Sequence, residues 1–241
     1  QLKLKQVELE QKVQERTAEL DVKNKALVSQ NAIIEEQKAE AEKRKEEIEK
    51  QHTLLEETHK EIKDSINYAK RIQEAILPTN EIIDQWMPEN FVFYRPKDVV
   101  AGDFYWIHKL SDGVLFSAAD CTGHGVPGAM VSVVCYNALN RSVREFGQSS
   151  PEKILDKTRE IVLETFQQNS AQVNDGMDAA LIAIRQTSAG TILEFCGANN
   201  SAIIIRNQEI IELEGDKQPV GNYQDAKPFK LHRFALQKGD M

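Results

Sequence analysis

Glycine is absent from the first hundred residues of this chain. All 12 glycines lie after residue 100, and Pro78 is the only proline before residue 88. Residues 1–80 also carry 15 Lys/Arg and 17 Asp/Glu. A charged stretch of that length without turn-forming residues cannot fold as a compact mixed domain; it is helical or disordered. A seven-residue repeat favours helix. Val13, Leu20, Leu27, Ile34, Ala41, Ile48, Leu55, Ile62, Ala69 and Ile76 are all apolar at one heptad position. Such a repeat predicts a left-handed coiled coil. The companion positions are mostly polar: Thr17, Asn24, Asn31, Lys38, Lys45, His52, His59, Ile66 and Gln73. Asparagine there favours a parallel, in-register homodimer at a cost in stability. The alternative is a single solvated helix held by i,i+4 charge pairs.

The apolar face broadens before Pro78 through Ile62, Ile66, Ala69, Ile72 and Ile76, so this end is expected to dock on the rest of the chain. The expected organisation is a coiled-coil linker over 1–61, a junction helix over 62–78 and a globular domain over 79–241.

The net charge of −8 comes without a basic patch, which argues against nucleic acid as the main partner. No apolar run reaches membrane-spanning length and no signal peptide opens the chain, so no membrane contact is expected from this segment. Cys121, Cys135 and Cys196 lack CxxC spacing, the C-x-x-H of Cys121 and His124 has no second pair, and the three read as ordinary thiols of a reducing cytosol. The expected location is cytoplasmic, including the cytosolic end of a membrane-anchored sensor.

Beyond the helix, strand-like and helix-like runs mix. Residues 91–95, 114–119, 179–184, 191–196, 201–206 and 232–236 read as strands. Helices are predicted over 131–143 and over 154–166, the second led by Pro151. Short links between strands predict an α+β fold with antiparallel neighbours.

The chemistry concentrates at 101–130. Asp112-Gly113 is a hairpin turn signal, and folding about it sets residues opposite when their numbers sum to about 223–225. Asp103 then lies opposite Asp120 or within two residues of it. Two carboxylates at one hairpin end repel unless a cation lies between them, and oxygen ligands suit a hard dication. The Cys-Thr-Gly-His-Gly-Val-Pro-Gly loop that follows, before a helix, permits sharp bends and close approach to a ligand. Zinc spacing, a Walker loop and a Gly-x-Ser-x-Gly elbow are all missing.

Six segments then occur in order: "RIQEAILP" (71–78), "RPKDVVAGDFYW" (95–106), "AADCTGHGVPGAM" (118–130), "DGMDAALIAI" (175–184), "FCGANN" (195–200) and "DKQPVG" (216–221). Together they resemble the PPM-type metal-dependent protein serine/threonine phosphatases of the SpoIIE/RsbU-like bacterial branch. The resemblance implies an α/β/β/α sandwich and two Mn or Mg ions that activate a water for in-line attack on phosphorus. No side-chain nucleophile is implied. Asp103, Asp120 and Asp178 become metal-site carboxylates, and Cys121 lends its backbone carbonyl. Arg95, Lys97 and His124 fall on the substrate side. The implied substrate is a phosphoserine or phosphothreonine protein, such as a STAS-type anti-anti-sigma regulator. Members of the family continue into further strands and acidic ligands after the segment that ends here at Met241. The chain therefore reads as a fragment with an incomplete sandwich, inactive by itself, and a non-catalytic dimeric scaffold is the competing reading. A histidine kinase fits less well, because no His-Glu phosphoacceptor box appears.

Overall fold

The structure, a computed structural model, describes residues 2–167 and 175–241. It divides into two compact units, Gln1–Lys63 and Asp64–Met241.

The described residues of the first unit, 2–63, lie within helix α1 (Leu2–Ile76). Its heptad residues Val13, Leu20, Leu27, Ile34, Ile48 and Leu55 are 50–64% exposed. Pairs such as Glu19–Lys23 at 2.9 Å and Glu40–Arg44 at 2.6 Å lie one turn apart along it. The helix is as expected; a single chain leaves its apolar stripe bare.

The second unit begins with the last turns of α1, which stop two residues before Pro78, whose ring cannot continue a helix. A short helix, α2 (Asn80–Trp86), follows. Then come β1 (Phe104–Lys109), β2 (Gly113–Cys121), α3 (Gly125–Arg144) and α4 (Pro151–Gln167). The remaining elements are strands β3 (Met177–Thr187), β4 (Gly190–Ala198), β5 (Ala202–Arg206), β6 (Glu209–Leu213) and β7 (His232–Ala235). The five-stranded sheet runs β1-β2-β3-β4-β7 with every ladder antiparallel, and β5 pairs with β6 in a second sheet.

Side-chain alternation along the strands sets the layers. On β3, Met177, Ala179, Leu181 and Ala183 join Val131, Cys135 and Leu139 of α3 and Ile154, Leu155 and Val162 of α4 in the main core. The intervening Ala180 and Ile182 face a smaller core formed with Leu193 and Phe195 of β4 and Ala202 and Ile204 of β5. The molecule is thus layered as helices, large sheet, small sheet, the α+β sandwich expected from sequence. Its second sheet is only a hairpin, and no helical layer covers that hairpin among the described residues.

Three local expectations need correction. Residues 91–95 form no strand: no neighbouring strand pairs with them, and Phe91 and Phe93 stay 90% and 84% exposed. Strand β6 lacks the usual turn signal in sequence, because its turn uses Asn207 and Gln208, both at positive φ, rather than the Asn-Gly or Asp-Gly pairs that mark such turns. The docking face of α1 also differs. Ile66, Ala69 and Ile76 are half-buried, but Ile62 and Ile72 are each 51% exposed and the fully buried residue is Gln73. Among the described residues no helix is long and apolar enough to cross a membrane.

Candidate active site

Strand register brings the acidic residues together. In the β1–β2 hairpin Phe104 pairs with Ala119, so one step outward Asp103 stands opposite Asp120. In the next ladder Asp120 pairs directly with Asp178. Their chain neighbours Phe104, Ala119, Cys121, Met177 and Ala179 point into the helix-side core. Alternation therefore turns the three carboxylate-bearing positions to the opposite face, at one end of three adjacent strands. Like charges directly opposite each other destabilise a sheet. Burial, reinforced by the hydrogen bond and negative charge of Asp103, accordingly raises the Asp120 pKa. Asp178 has a separate partner: Asn199 Nδ2 donates to its Oδ1 at 2.7 Å.

Missing side chains let the loops around these residues close up. A Cβ on Gly128, in the first turn of α3, would sit 2.4 Å from the Gly123 carbonyl oxygen. One on Gly102 would lie 2.8 Å from that same oxygen and 3.1 Å from the Cys121 carbonyl oxygen. Three glycines thus pack backbone on backbone between the Asp103 segment, the end of β2 and the start of α3. The Cys121 side chain is buried in the core, so only its main chain is available to the site. Thr122 ties the far side, its N–H and hydroxyl both donating to the Gly176 carbonyl at 3.0 and 3.2 Å.

Two cavities flank Asp120. One of about 430 Å³ is lined by Asp120, Cys121, Gly123, His124, Asp178 and Asn222 among others. A larger one of about 620 Å³ is lined by Asp103, Asp120 and Arg95, with Phe91, Phe93, Ile107 and Phe116 among its apolar walls. His124 occupies the N-cap of α3 and places Nδ1 3.2 Å from Asp98 Oδ2, with its ring largely exposed. Lys97 is exposed and lines neither cavity. The smaller cavity therefore gathers Asp120, Cys121, His124 and Asp178; Asp103 and Arg95 line the larger one with Asp120.

Two residues on which the sequence reading placed no role also bear on the site. Asn199 is one. The other is Gln73 on α1, whose Nε2 donates to the Ala101 carbonyl at 2.6 Å and to Ser132 Oγ at 2.9 Å, while its Oε1 accepts from the Ala101 amide at 3.0 Å. This side chain clasps the backbone two residues before Asp103 and joins it to α3. In sequence Gln73 is a polar residue inside an apolar turn, at one of the polar heptad positions.

The donor set consists of carboxylate and main-chain oxygens, the kind that hard dications prefer, and magnesium is commonly held by only one or two carboxylates with retained waters. Burial and the neighbouring Asp103 raise Asp120, and a cation between the two carboxylates would offset both effects. The residues thus fit Mg or Mn in chemistry. In number they form a wall rather than a cage: among the described residues no three His, Cys, Asp or Glu side chains cluster closely enough to hold an ion.

The sequence model of the family described as "Stage II sporulation protein E (SpoIIE)" matches residues 111–241. Among solved structures, the SiaA-PP2C domain of Pseudomonas aeruginosa is 30% identical, with a TM-score of 0.67 over 76% of this chain and 70% of that one. The PP2C phosphatase domain of SpoIIE from Bacillus subtilis, with a fragment of its regulatory domain, is 16% identical, with a TM-score of 0.46 over 58% of this chain and 39% of that one. The RsbU and RsbW domains of a Mycobacterium tuberculosis protein are 19% identical, with a TM-score of 0.47 over 60% and 38%. No curated protein matches the chain.

Proposed function

The chain belongs to the SpoIIE family and has the PPM/PP2C-type phosphatase fold, and from that membership we propose that it serves as the metal-dependent phosphatase part of a bacterial signalling protein. The observation that carries this reading is the double register that sets Asp103, Asp120 and Asp178 side by side on one sheet face. In this reading Asp103 and Asp120 hold Mn or Mg, the Cys121 carbonyl completes their side, and Asp178 stands across the ladder. The bound ions would supply Lewis-acid polarisation of the phosphoryl group and an acidified water. The protein's own residues supply the rest. The glycine-packed loop keeps the backbone near the carboxylates. The N-terminus of α3, with His124, offers positive potential to a phosphate. Arg95, which lines the larger cavity with Asp103, meets the substrate's anionic group there, and Lys97, exposed outside both cavities, adds positive charge to the approach.

The proposed substrate is a phosphoserine or phosphothreonine protein, of which a STAS-type regulator is the candidate drawn from the family. The helical unit is proposed to be a parallel homodimer seam, and the docked end of α1 to transmit its state. Replacing Asp120 by Ala in the natural protein should abolish both calorimetric Mn binding and Mn-dependent phosphate release from a phosphoserine protein; unchanged turnover would refute the assignment.

One observation favours a second reading, a phosphatase-like module that binds without catalysing. Among the described residues the acidic wall lacks a third close ligand. Such a module would take up no Mn in the same calorimetric experiment.

A further inference from the structure

Asp178 is held from outside its own ladder. Asn199, just beyond β4, donates its side-chain amide to Asp178 Oδ1 at 2.7 Å. Only the N–H₂ end of an amide can face a carboxylate, so the orientation follows from the contact. The mount behind that amide is tightly built. Asn199 has φ +58, a left-handed conformation that asparagine tolerates better than most residues. Its backbone N–H donates to the Asp216 carbonyl at 2.7 Å, and Asp216 N–H donates back to the Gly197 carbonyl at 2.9 Å. Gly197 and Gly215 close against the Asn200 carbonyl so tightly that a Cβ on either would sit 2.1 or 2.3 Å from its oxygen. The backbone that aims the amide therefore has little room to move.

The aim matters because Asp178 is the direct ladder partner of Asp120. Two opposed carboxylates repel, and a free Asp178 side chain would rotate away. We infer that Asn199 is a positioning residue: its amide fixes the Asp178 side chain in the acidic wall next to Asp120 on the sheet, and so sets how that wall meets a divalent cation. The cation part rests on the phosphatase reading; the pinning does not. Partners that orient metal-binding side chains typically change metal affinity about 10–100-fold when removed.

The test uses the full chain and four forms: unmodified, Asn199→Gly, Asp178→Ala and the double variant. Glycine keeps the left-handed backbone and removes only the side chain. Calorimetry with Mn should show affinity about tenfold weaker in Asn199→Gly, and no further loss when that change is added to Asp178→Ala. Melting temperatures of Asn199→Gly and the unmodified chain should agree within a few degrees. Equal Mn affinity in Asn199→Gly overturns the inference. So does an undiminished loss in the Asp178→Ala background, which marks a general structural role. If the unmodified chain takes up no Mn, the phosphatase reading and the cation part fail together. The pinning is then judged on the side-chain carboxyl ¹³C resonance of Asp178 in the metal-free protein. It should move on Asn199→Gly, and an unmoved resonance overturns the positioning.

Discussion

Asp120 concentrates the conflict between fold and function. A carboxyl whose folded pKa is raised binds its proton more tightly in the folded state than in the unfolded chain. Its contribution is therefore most favourable below the ordinary value of 3.8, and stability is lost as pH rises from there through the raised folded value. At neutral pH the charged residue costs the metal-free protein stability. Asp120→Asn should consequently stabilise the metal-free protein at pH 7 by about 0.2–1 kcal/mol, the scale of opposed like charges in a sheet. The gain should vanish near pH 3, and urea titrations at the two pH values would show it; equal effects at both would contradict the electrostatic account. The hairpin partner of Asp120 was readable from sequence, because one turn fixes one register. Its other neighbour was not. Asp178 reaches it only after α3 and α4 intervene, and no local pattern encodes that pairing. The Asn199 contact is hidden for the same reason, since 21 positions separate donor and acceptor.

Among the elements, the docked turn of α1 shows best what periodicity can and cannot deliver. The helix, its stop before Pro78 and the partial burial of Ile66, Ala69 and Ile76 follow from spacing. Which polar residue enters the interface does not, because Gln73 is chosen by a backbone amide and carbonyl 28 positions away. Gln73→Leu keeps the volume but strips partners from buried Ala101 and Ser132. It should cost about 1–3 kcal/mol in urea unfolding, and it should also weaken Mn binding, since Ala101 lies two residues from Asp103. A loss of stability with full Mn affinity would confine the clasp to a structural role. The segment 91–95 failed for the opposite reason: β-rich composition makes a strand only where a neighbour supplies the hydrogen bonds.

For the molecule as a whole, the first unit holds no glycine and every glycine belongs to the second. The bare heptad stripe calls for a partner, and a second copy supplies identical spacing at every turn. Sedimentation equilibrium should show a dimer, and Leu27→Glu with Ile34→Glu should shift it toward monomer and lower the helical circular dichroism signal. A monomer before substitution would favour the solvated single helix, whose i,i+4 pairs are present.

All three thiols are buried and unbridged: Cys121 beside Asp120 on β2, Cys135 on α3, and Cys196 one residue before Gly197 on β4. Burial pushes the pKa of Cys196 upward, and contact with Cys135 together with burial does the same for Cys121. A thiol in that state reacts with an aqueous reagent only while its surroundings are open. The protein thus carries three built-in clocks, two of them wound into the strands that carry the acidic wall and its asparagine mount, and their rates of chemical labelling time how often each part of the sandwich breathes.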